Sequence, residues 1–470
     1  MLEDLFAHPS KDSLLNLVWV YLVGLGVLVT QQWSSRRAVG LPLAYALSFS
    51  MLHLVGAAVY SIPGYYPRSA ILLQNHSSLQ NTFEGFRVAC FGFWALVLGV
   101  ILTPLVARPR QPAPMIRHPN VTSRMPVNLI LMGVLFFFVI FPVVGKLPSL
   151  GGLSIAGTML TGIGVYLRCR QSWQARNWRE FSVSLLMTLC FPVVTILFLG
   201  FASYGSAMAM TILVLVTCFV RPRWVSVATL LGMVFVGLSF YINWMVWRVE
   251  IREAVWGSYS FESRVERLAQ MVANVRVLDV GNQNHLEIMD LRLNQNDLVG
   301  KGVIRLRSGR VDYGEGYSLW VAATSWVPRL LWPNKPLSGG SGNFVSVYTG
   351  QEFAEGTSVG AGQPLEFYAN FGMNGVLVCF FLLGLAIGWF DCRAADCLNQ
   401  GDWWSACRWL LPGMAFLNPG GMMNEAVSSA AASMLLLLAI HHALFSSYYP
   451  RHPMAMRPRH APMVRGEPRS

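Results

Sequence analysis

Apolar and polar stretches alternate along this chain in a pattern that predicts a helical membrane protein. An apolar run of about 17–25 residues is long enough to cross the hydrocarbon layer of a bilayer as an α-helix. The sequence predicts eleven such runs, at 14–30, 39–60, 86–106, 127–145, 151–167, 181–200, 204–220, 224–246, 367–390, 403–418 and 426–446. We therefore expect an all-α polytopic membrane protein with about eleven transmembrane helices.

A single long polar interval, 247–366, interrupts the apolar runs and divides the chain into four parts. The first eight predicted spans occupy 1–246, and the last three occupy 367–446. A basic tail follows at 447–470. This order predicts a membrane bundle from which one large loop emerges between the eighth and ninth spans.

The pattern inside the polar interval predicts that the loop is partly helical. Apolar residues recur there at helical spacing, at Phe261, Val265, Leu268, Val272 and Val275. This spacing is typical of one amphipathic helix. Further helical runs are predicted at 285–293 and 317–332, and the glycine-rich stretch 338–343 is predicted to be a hinge.

Composition agrees with a membrane location, and the distribution of charge predicts the orientation. The chain is 54% hydrophobic and only 12% charged, with a formal net charge of +12. Loops after the first, third, fifth, seventh and ninth spans, and the tail, are rich in arginine, whereas the other short segments carry only Lys11, Arg68 and Lys146. Basic loops stay in the cytoplasm, so the long interval is predicted to be extracytoplasmic. The net charge then reflects topology and attraction to membrane lipids, and predicts no nucleic-acid partner.

The end of the polar interval, SWVPRLLWPNKP at 325–336, concentrates features suited to binding an anion. Pro328 and Pro333 fix the backbone, and Arg329 and Lys335 place two cations in a stiff segment. Such cations suit a lipid-linked phosphate at the membrane–water interface. The alternative is that Arg329 and Lys335 only extend to the interface and anchor the loop.

Other reaction classes lack their usual signatures in this sequence. There is no GxxxxGK[ST] or HExxH motif, and the long interval has no DxD motif, so we predict no metal and no cofactor. The predicted spans contain almost no ionisable residues apart from His53, His441 and His442. Since ion-coupled transporters use charged groups at mid-membrane depth, this pattern lowers the expectation of a transporter.

Two segments of the chain resemble a known family of membrane enzymes. GEGYSLWVAATSWVPRLLWPNKP at 314–336 and NFGMNG at 370–375 look like the bacterial O-antigen and exopolysaccharide repeat-unit polymerases of the Wzy type. That family often carries PR…W-P-x-K-P near the end of its long periplasmic loop and N-F-G-x-x-G at the head of the next span. The specific resemblance covers 314–375 and elsewhere rests on the arrangement of the spans.

This resemblance implies an activity, a location and partners. The expected enzyme is a glycosyltransferase that joins undecaprenyl-pyrophosphate-linked oligosaccharide repeat units at the outer face of the bacterial cytoplasmic (inner) membrane. Its expected partners are the lipid-linked glycan, membrane lipids, a chain-length regulator and a flippase. A lipid-linked glycan ligase uses the same leaving group and remains an alternative, as does, with less support, a polysaccharide flippase or transporter.

The chemistry of this reaction predicts the site residues. The pyrophosphate leaving group needs fixed cations, so we expect Arg329 to act in catalysis and Arg292, Arg310 and Lys335 to bind substrate, together with Asn370. The acceptor hydroxyl benefits from a general base. Glu366 is predicted for that role, with Asp312 or Glu315 as the next choice. The alternative for Glu366 is a structural charge at the N-terminus of the ninth span.

The orientation can be tested with reporter fusions. Reporters joined after Arg110, after Arg170 and at the C-terminus should report the cytoplasm. One joined after Gly340 should report the extracytoplasmic side. A cytoplasmic signal at Gly340 would contradict both the topology and the proposed location of the reaction.

Overall fold

The computed structural model describes residues 8–108, 119–140, 142, 151–220, 223–257, 259–327, 331–336, 340–353, 359–360 and 362–445. Within these residues the chain is helical and has no strand. The first ten helices are α1 Lys11–Ser34, α2 Leu41–Ser61, α3 Ala70–Gln74, α4 Leu79–Val106, α5 Pro119–Leu135, α6 Gly151–Gln174, α7 Trp178–Leu186, α8 Cys190–Leu199, α9 Ser203–Thr217 and α10 Arg223–Trp256. The others are α11 Phe261–Ala273, α12 Gln283–Leu293, α13 Gln295–Arg307, α14 Tyr317–Thr324, α15 Ser341–Thr349, α16 Gln363–Asn399, α17 Trp403–Ala415 and α18 Met423–Phe445.

Seven helical stretches among the described residues are long and apolar enough to cross a membrane, which identifies a multi-pass membrane protein. They are Lys11–Ser34, Leu41–Ser61, Leu79–Val106, Trp178–Leu199, Arg223–Trp256, Gln363–Asn399 and Met423–His442. Helices also occur at the other four predicted spans. Of these, α9 and α17 have only 15 and 13 residues, and α6 is rich in glycine and ends near Arg168 and Arg170. The count of eleven spans therefore stays a prediction.

The centre of the fold is the contact of α4 with α16 on one side and with α13 on the other. Small residues allow this close approach. A Cβ atom at Gly99 would collide with the carbonyl oxygen of Phe381, and one at Gly384 would collide with that of Leu96. Gly85 approaches the backbone of Asn296 on α13 in the same way. Helices in lipid gain nothing from excluding water, so they associate through close packing. Glycine allows this packing because two backbones can touch where it lies.

One end of the bundle, which we call the arginine end, gathers the loops predicted to be cytoplasmic. The Arg37 guanidinium donates to both carboxylate oxygens of Asp396, each at 2.8 Å, and to the carbonyl oxygen of Ala107 at 3.0 Å. Asn399 accepts a hydrogen bond from Arg170 at 3.2 Å. Loops distant in sequence therefore meet at this one end of the bundle; that this end faces the cytoplasm stays a prediction.

Asp391 fixes the start of α2 at the same end. This carboxylate is buried and accepts hydrogen bonds from the backbone N–H groups of Val39, Gly40 and Leu41 at 3.1, 2.8 and 2.9 Å. These donors belong to the N-terminus of α2, where the helix leaves its own N–H groups unpaired. A negative charge is also favoured at that position by the helix dipole. The contact joins α16 to α2.

At the opposite end, which we call the loop end, the polar interval packs down onto the bundle. The Nζ atom of Lys11 donates to the carbonyl oxygens of Ile62 and Tyr65 at 2.9 and 2.8 Å, and this contact closes the first helical pair. Asn296 in α13 exchanges two hydrogen bonds with His53 in α2, at 2.8 Å to the ring and 2.7 Å to the carbonyl oxygen. The interval is thus partly embedded between the spans.

The helices of the polar interval were predicted in part. The amphipathic helix is present as α11, but most of its apolar stripe is exposed, including Phe261, Val265 and Val272. The second predicted run is present as α12. The third predicted run, 317–332, is helical only as far as Thr324, where α14 ends. The hinge predicted at 338–343 is wrong from Ser341 onwards, because a helix begins there. Residues 337–339 lie outside the described residues.

Substitution of Gly99 tests the central contact. Gly99→Ala should destabilise the protein by about 1–3 kcal/mol, because the added methyl must displace the backbone of α16. The measurement is the thermal unfolding midpoint of the purified protein in detergent. Gly232→Ala in α10 is the matched control, since a Cβ there meets no atom within 4 Å and alanine favours a helix. Equal midpoints for the two variants would contradict the role given to glycine.

Candidate functional site

A cleft lined by both polar and apolar side chains opens at the loop end, between α14, α15, the first turns of α16 and the segment that leads into α18. Its volume is about 180 Å³. Its polar lining comes from Tyr317, Ser318, Asn343, Tyr348, Asn370 and Asn424. These hydroxyl and amide groups lie among the apolar side chains of Val321, Phe344, Val347 and Met422, so the cleft offers both hydrogen bonds and apolar contact to a ligand.

Two of the predicted site residues, Glu366 and Asn370, lie at this cleft because α16 begins just before them. Gly362, with φ +73°, and Pro364 start the helix. Asn370 lines the cleft, and its Nδ2 atom donates to the Ser318 Oγ atom and to the Glu366 carbonyl oxygen, both at 2.7 Å. Glu366 lies one helical turn earlier on the same face of α16, but it is fully buried and does not line the cleft.

The Glu366 side chain is fully buried, and only one of its two carboxylate oxygens has a described hydrogen-bond donor. Its Oε2 atom accepts a hydrogen bond from the Met423 N–H at 2.8 Å. Its Oε1 atom has no hydrogen-bond partner among the described residues, and the Ser318 hydroxyl lies near the same carboxylate. A buried carboxylate oxygen without a donor is costly in a purely structural role. This arrangement is typical of functional sites.

A break in α16 directly after Asn370 explains the glycine of the NFG motif. Phe371 has φ −140° and ψ 20°, and Gly372 has φ 64° and ψ −150°. The conformation of Gly372 is essentially restricted to glycine. The break frees the carbonyl oxygen of Ala369, which accepts a hydrogen bond from the Gly314 N–H at 2.9 Å.

The GEG segment, 314–316, is shaped to fit that break. A Cβ atom at Gly314 would lie 2.7 Å from the Tyr348 hydroxyl oxygen, so only glycine leaves the cleft open here. Glu315 and Gly316 both have positive φ, 46° and 87°, and Gly316 then starts α14. This strained turn directs Ser318 towards Asn370.

The other predicted residues that the structure describes lie outside the cleft lining. Arg329 lies outside the described residues. The Lys335 Nζ atom donates to the carbonyl oxygens of Ser325 and Val327 at 2.8 and 3.0 Å, so this cation helps to hold its own segment together. Arg310 is exposed. Asp312 and Glu315, the second choice for the base, are also exposed.

Arg292 belongs to a different part of the surface. It lies on α12, close enough to Arg248 and Arg252 of α10 for their charges to repel. No described contact joins Arg292 to Glu366 or Asn370. Sequence reasoning grouped Arg292 with the other cations because it lies in the same interval, but α12 packs against α2 and α10.

Sequence reasoning missed a second group of polar residues near the break in α16. The Arg307 guanidinium donates to the Glu84 carboxylate at 2.8 Å and to the Tyr368 hydroxyl at 3.0 Å. Arg87 also pairs with Glu84, at 2.7 Å. Arg307 ends α13, a helix that was not predicted because its buried face mixes the polar Asn296 and Asp297 with glycines and a few apolar residues. The network holds α4, α13 and α16 together below the cleft.

A buried acid, Asp290, lies in a separate network at the loop end. It is 3% exposed and accepts hydrogen bonds from the Tyr65 hydroxyl at 2.6 Å and from Asn294 at 2.8 Å. Burial raises the pKa of Asp290 to about 6. Among the described residues, no group of three or more His, Cys, Asp or Glu side chains is arranged to hold a metal ion.

A family comparison places most of the chain in one family. The family described as "Domain of unknown function (DUF8712)" matches residues 48–446, and the chain belongs to this family. The matched region includes the cleft, the break in α16 and the contact of α4 with α16. No curated protein and no solved structure matches the chain.

The raised pKa of Asp290 predicts a pH dependence of stability. The unfolded carboxyl has a pKa of about 3.9, so between about pH 4 and pH 6 the folded state holds a proton that the unfolded state has lost. Stability should therefore fall by up to about 3 kcal/mol as pH rises through this range. Asp290→Asn should flatten this slope in thermal unfolding, whereas Asp312→Asn, at an exposed carboxylate, should keep it. An unchanged slope in Asp290→Asn would assign the titration to another group.

Proposed function

We propose that this family member is a glycosyltransferase that joins undecaprenyl-pyrophosphate-linked oligosaccharide repeat units into a polysaccharide. The reaction takes place at the outer face of the cytoplasmic membrane. The proposal includes eleven spans and an extracytoplasmic position for the polar interval. One observation carries it: the start of the first segment that resembles the polymerases, from Gly314 to Val321, and Asn370 at the head of the second line the same cleft. Gly314 bonds to Ala369, and Ser318 bonds to Asn370.

The cleft supplies groups that suit the acceptor sugar. The amides of Asn343, Asn370 and Asn424 and the Ser318 hydroxyl offer both donors and acceptors. Burial raises the pKa of Tyr348, so its phenol stays protonated and donates a hydrogen bond at neutral pH. Its ring and that of Phe344, whose centroids are 4.7 Å apart, form an apolar wall against which a sugar ring can pack.

Glu366 acts as the general base in this proposal. The acceptor hydroxyl oxygen attacks the anomeric carbon of the donor, and the bond from that carbon to the pyrophosphate oxygen breaks. The proton of the hydroxyl passes to the buried Glu366 carboxylate through the Ser318 hydroxyl, which lines the cleft and lies near that carboxylate. The negative charge moves to the released lipid pyrophosphate. Glu366 is shielded from water, so the carboxylate is not weakened as a base by hydration.

Cations of the polar interval are proposed to receive the leaving group. Arg329 is proposed to stabilise the charge that develops on the pyrophosphate, with Arg310 as a further contact. Lys335 holds the segment that carries Arg329, through its hydrogen bonds to Ser325 and Val327. Trp326 is exposed in the same segment, 58% of its surface being accessible, as expected of an anchor at the membrane–water interface.

The test compares Glu366→Gln with the wild-type protein. Glutamine keeps the size of the side chain and an acceptor for the Met423 N–H, but it cannot take a proton. Loss of a general base should lower the rate about 10²–10⁴-fold. The measurements are polymer formed by the purified protein from a lipid-linked repeat unit, and the lipid-linked glycans of cells that carry the variant. These cells should accumulate carrier bearing one repeat unit.

Glu352→Gln, at an exposed carboxylate of the same interval, is the matched control and should polymerise normally. Both variants must reach equal amounts in the membrane. Wild-type polymer from Glu366→Gln would remove Glu366 from the reaction. Full-length polymer stranded on the carrier would replace the proposal with a ligase, and absence of lipid-linked glycan outside the membrane would replace it with a flippase.

A further inference from the structure

Three arginines converge on one surface away from the cleft. Arg248 and Arg252 lie one helical turn apart near the end of α10, so they project from the same face. Arg292 on α12 adds a third charge, and each of the three arginines is within range of the repulsion of the others. We call this group the arginine triad. Like charges placed together disfavour the folded state unless an anion joins them.

No described acid neutralises the arginine triad. The Arg248 guanidinium contacts the Met245 sulfur at 3.7 Å, and the Arg252 Nε atom donates to the Gly200 carbonyl oxygen at 3.0 Å. Arg292 has neither a hydrogen bond nor an ion pair within the described part of the chain. Glu250, close in sequence, pairs instead with Arg267 at 3.6 Å. Most of the N–H donors of the triad therefore remain available to a ligand.

Aromatic rings hold Arg252 in position. Its guanidinium carbon lies 4.8 Å from the ring centre of Phe201, 5.3 Å from that of Trp256 and 6.0 Å from that of Trp244. Such contacts fix the guanidinium without neutralising it. Tryptophan is also the residue type that concentrates where hydrocarbon meets lipid headgroups. The surroundings of Arg252 are thus those of a membrane interface.

The length of α10 places the arginine triad at the depth of lipid phosphates. At 1.5 Å per residue, Arg248 lies about 37 Å along the helix from Arg223. The hydrocarbon core is about 30 Å thick and the whole bilayer about 40–45 Å. With Arg223 at one interface, Arg248 and Arg252 therefore reach the opposite headgroup layer. Val246 and Val249 beside them are exposed, so this part of α10 faces lipid.

We infer that the arginine triad binds the phosphate group of a membrane lipid. Arginine matches phosphate with paired, charge-assisted hydrogen bonds, and three guanidinium groups suit a ligand with more than one negative charge. The phosphate has two possible sources, the headgroup of an anionic phospholipid and the pyrophosphate of a prenyl carrier. The inference does not depend on the proposed glycosyltransferase activity.

The test measures lipid binding by native mass spectrometry of the full-length protein released from nanodiscs. The probes are phosphatidylglycerol, farnesyl pyrophosphate, phosphatidylcholine and inorganic phosphate. Arg248→Gln/Arg292→Gln removes two arginines and leaves the packed Arg252 in place. Arg68→Gln/Arg276→Gln, at two other exposed arginines, removes the same charge elsewhere.

Wild type and the control variant should retain both anionic lipids in preference to phosphatidylcholine. The Arg248→Gln/Arg292→Gln variant should bind them about 100-fold more weakly, at about tenfold for each lost arginine. Displacement of phosphatidylglycerol by equimolar farnesyl pyrophosphate identifies a prenyl carrier as the source, and retention identifies the phospholipid. Equal binding by the variant and wild type overturns the inference, and so does inorganic phosphate that competes as well as either lipid.

Discussion

The structure depends on the direct contact of backbones between α4 and α16. In lipid, apolar side chains gain little by leaving their surroundings, so helix association needs close packing and polar contacts. Gly99 and Gly384 allow the close packing, because each lies directly against the backbone of the other helix. The Arg307 guanidinium supplies polar contacts at the loop end, since it donates to Glu84 of α4 at 2.8 Å and to Tyr368 of α16 at 3.0 Å. A bulky residue at Gly99 or Gly384 would push the two backbones apart at that point.

The contact between α4 and α16 also determines where the cleft can form. Because α16 is held against α4 and α13, its first two turns stand at the loop end with Glu366 and Asn370 on one face. The helix then breaks at Gly372, and the peptide groups released by the break are used by Gly314. The cleft is therefore built on a rigid pair of helices, while the short helices α14 and α15 complete it from the polar interval.

Much of the fold could be predicted from sequence, because apolar run length and arginine distribution are strong local signals. The position of Glu366 and Asn370 at the head of α16 followed from the point where polar residues give way to apolar ones. What could not be predicted depends on three-dimensional contacts that leave no pattern in the local sequence. Nothing near Asn296 indicates that it is buried against His53, and nothing near Lys335 indicates that it binds two carbonyl oxygens of its own segment.

The Asp391 contact has a consequence for how the protein is made. The N–H groups of Val39, Gly40 and Leu41 enter the membrane about 350 residues before their carboxylate partner is synthesised. At about 5–20 residues per second, the first helices wait on the order of tens of seconds for α16. During that time their inner faces are covered by lipid, the insertion machinery or one another. Final assembly of the bundle is therefore a late event, set by synthesis of the last third of the chain.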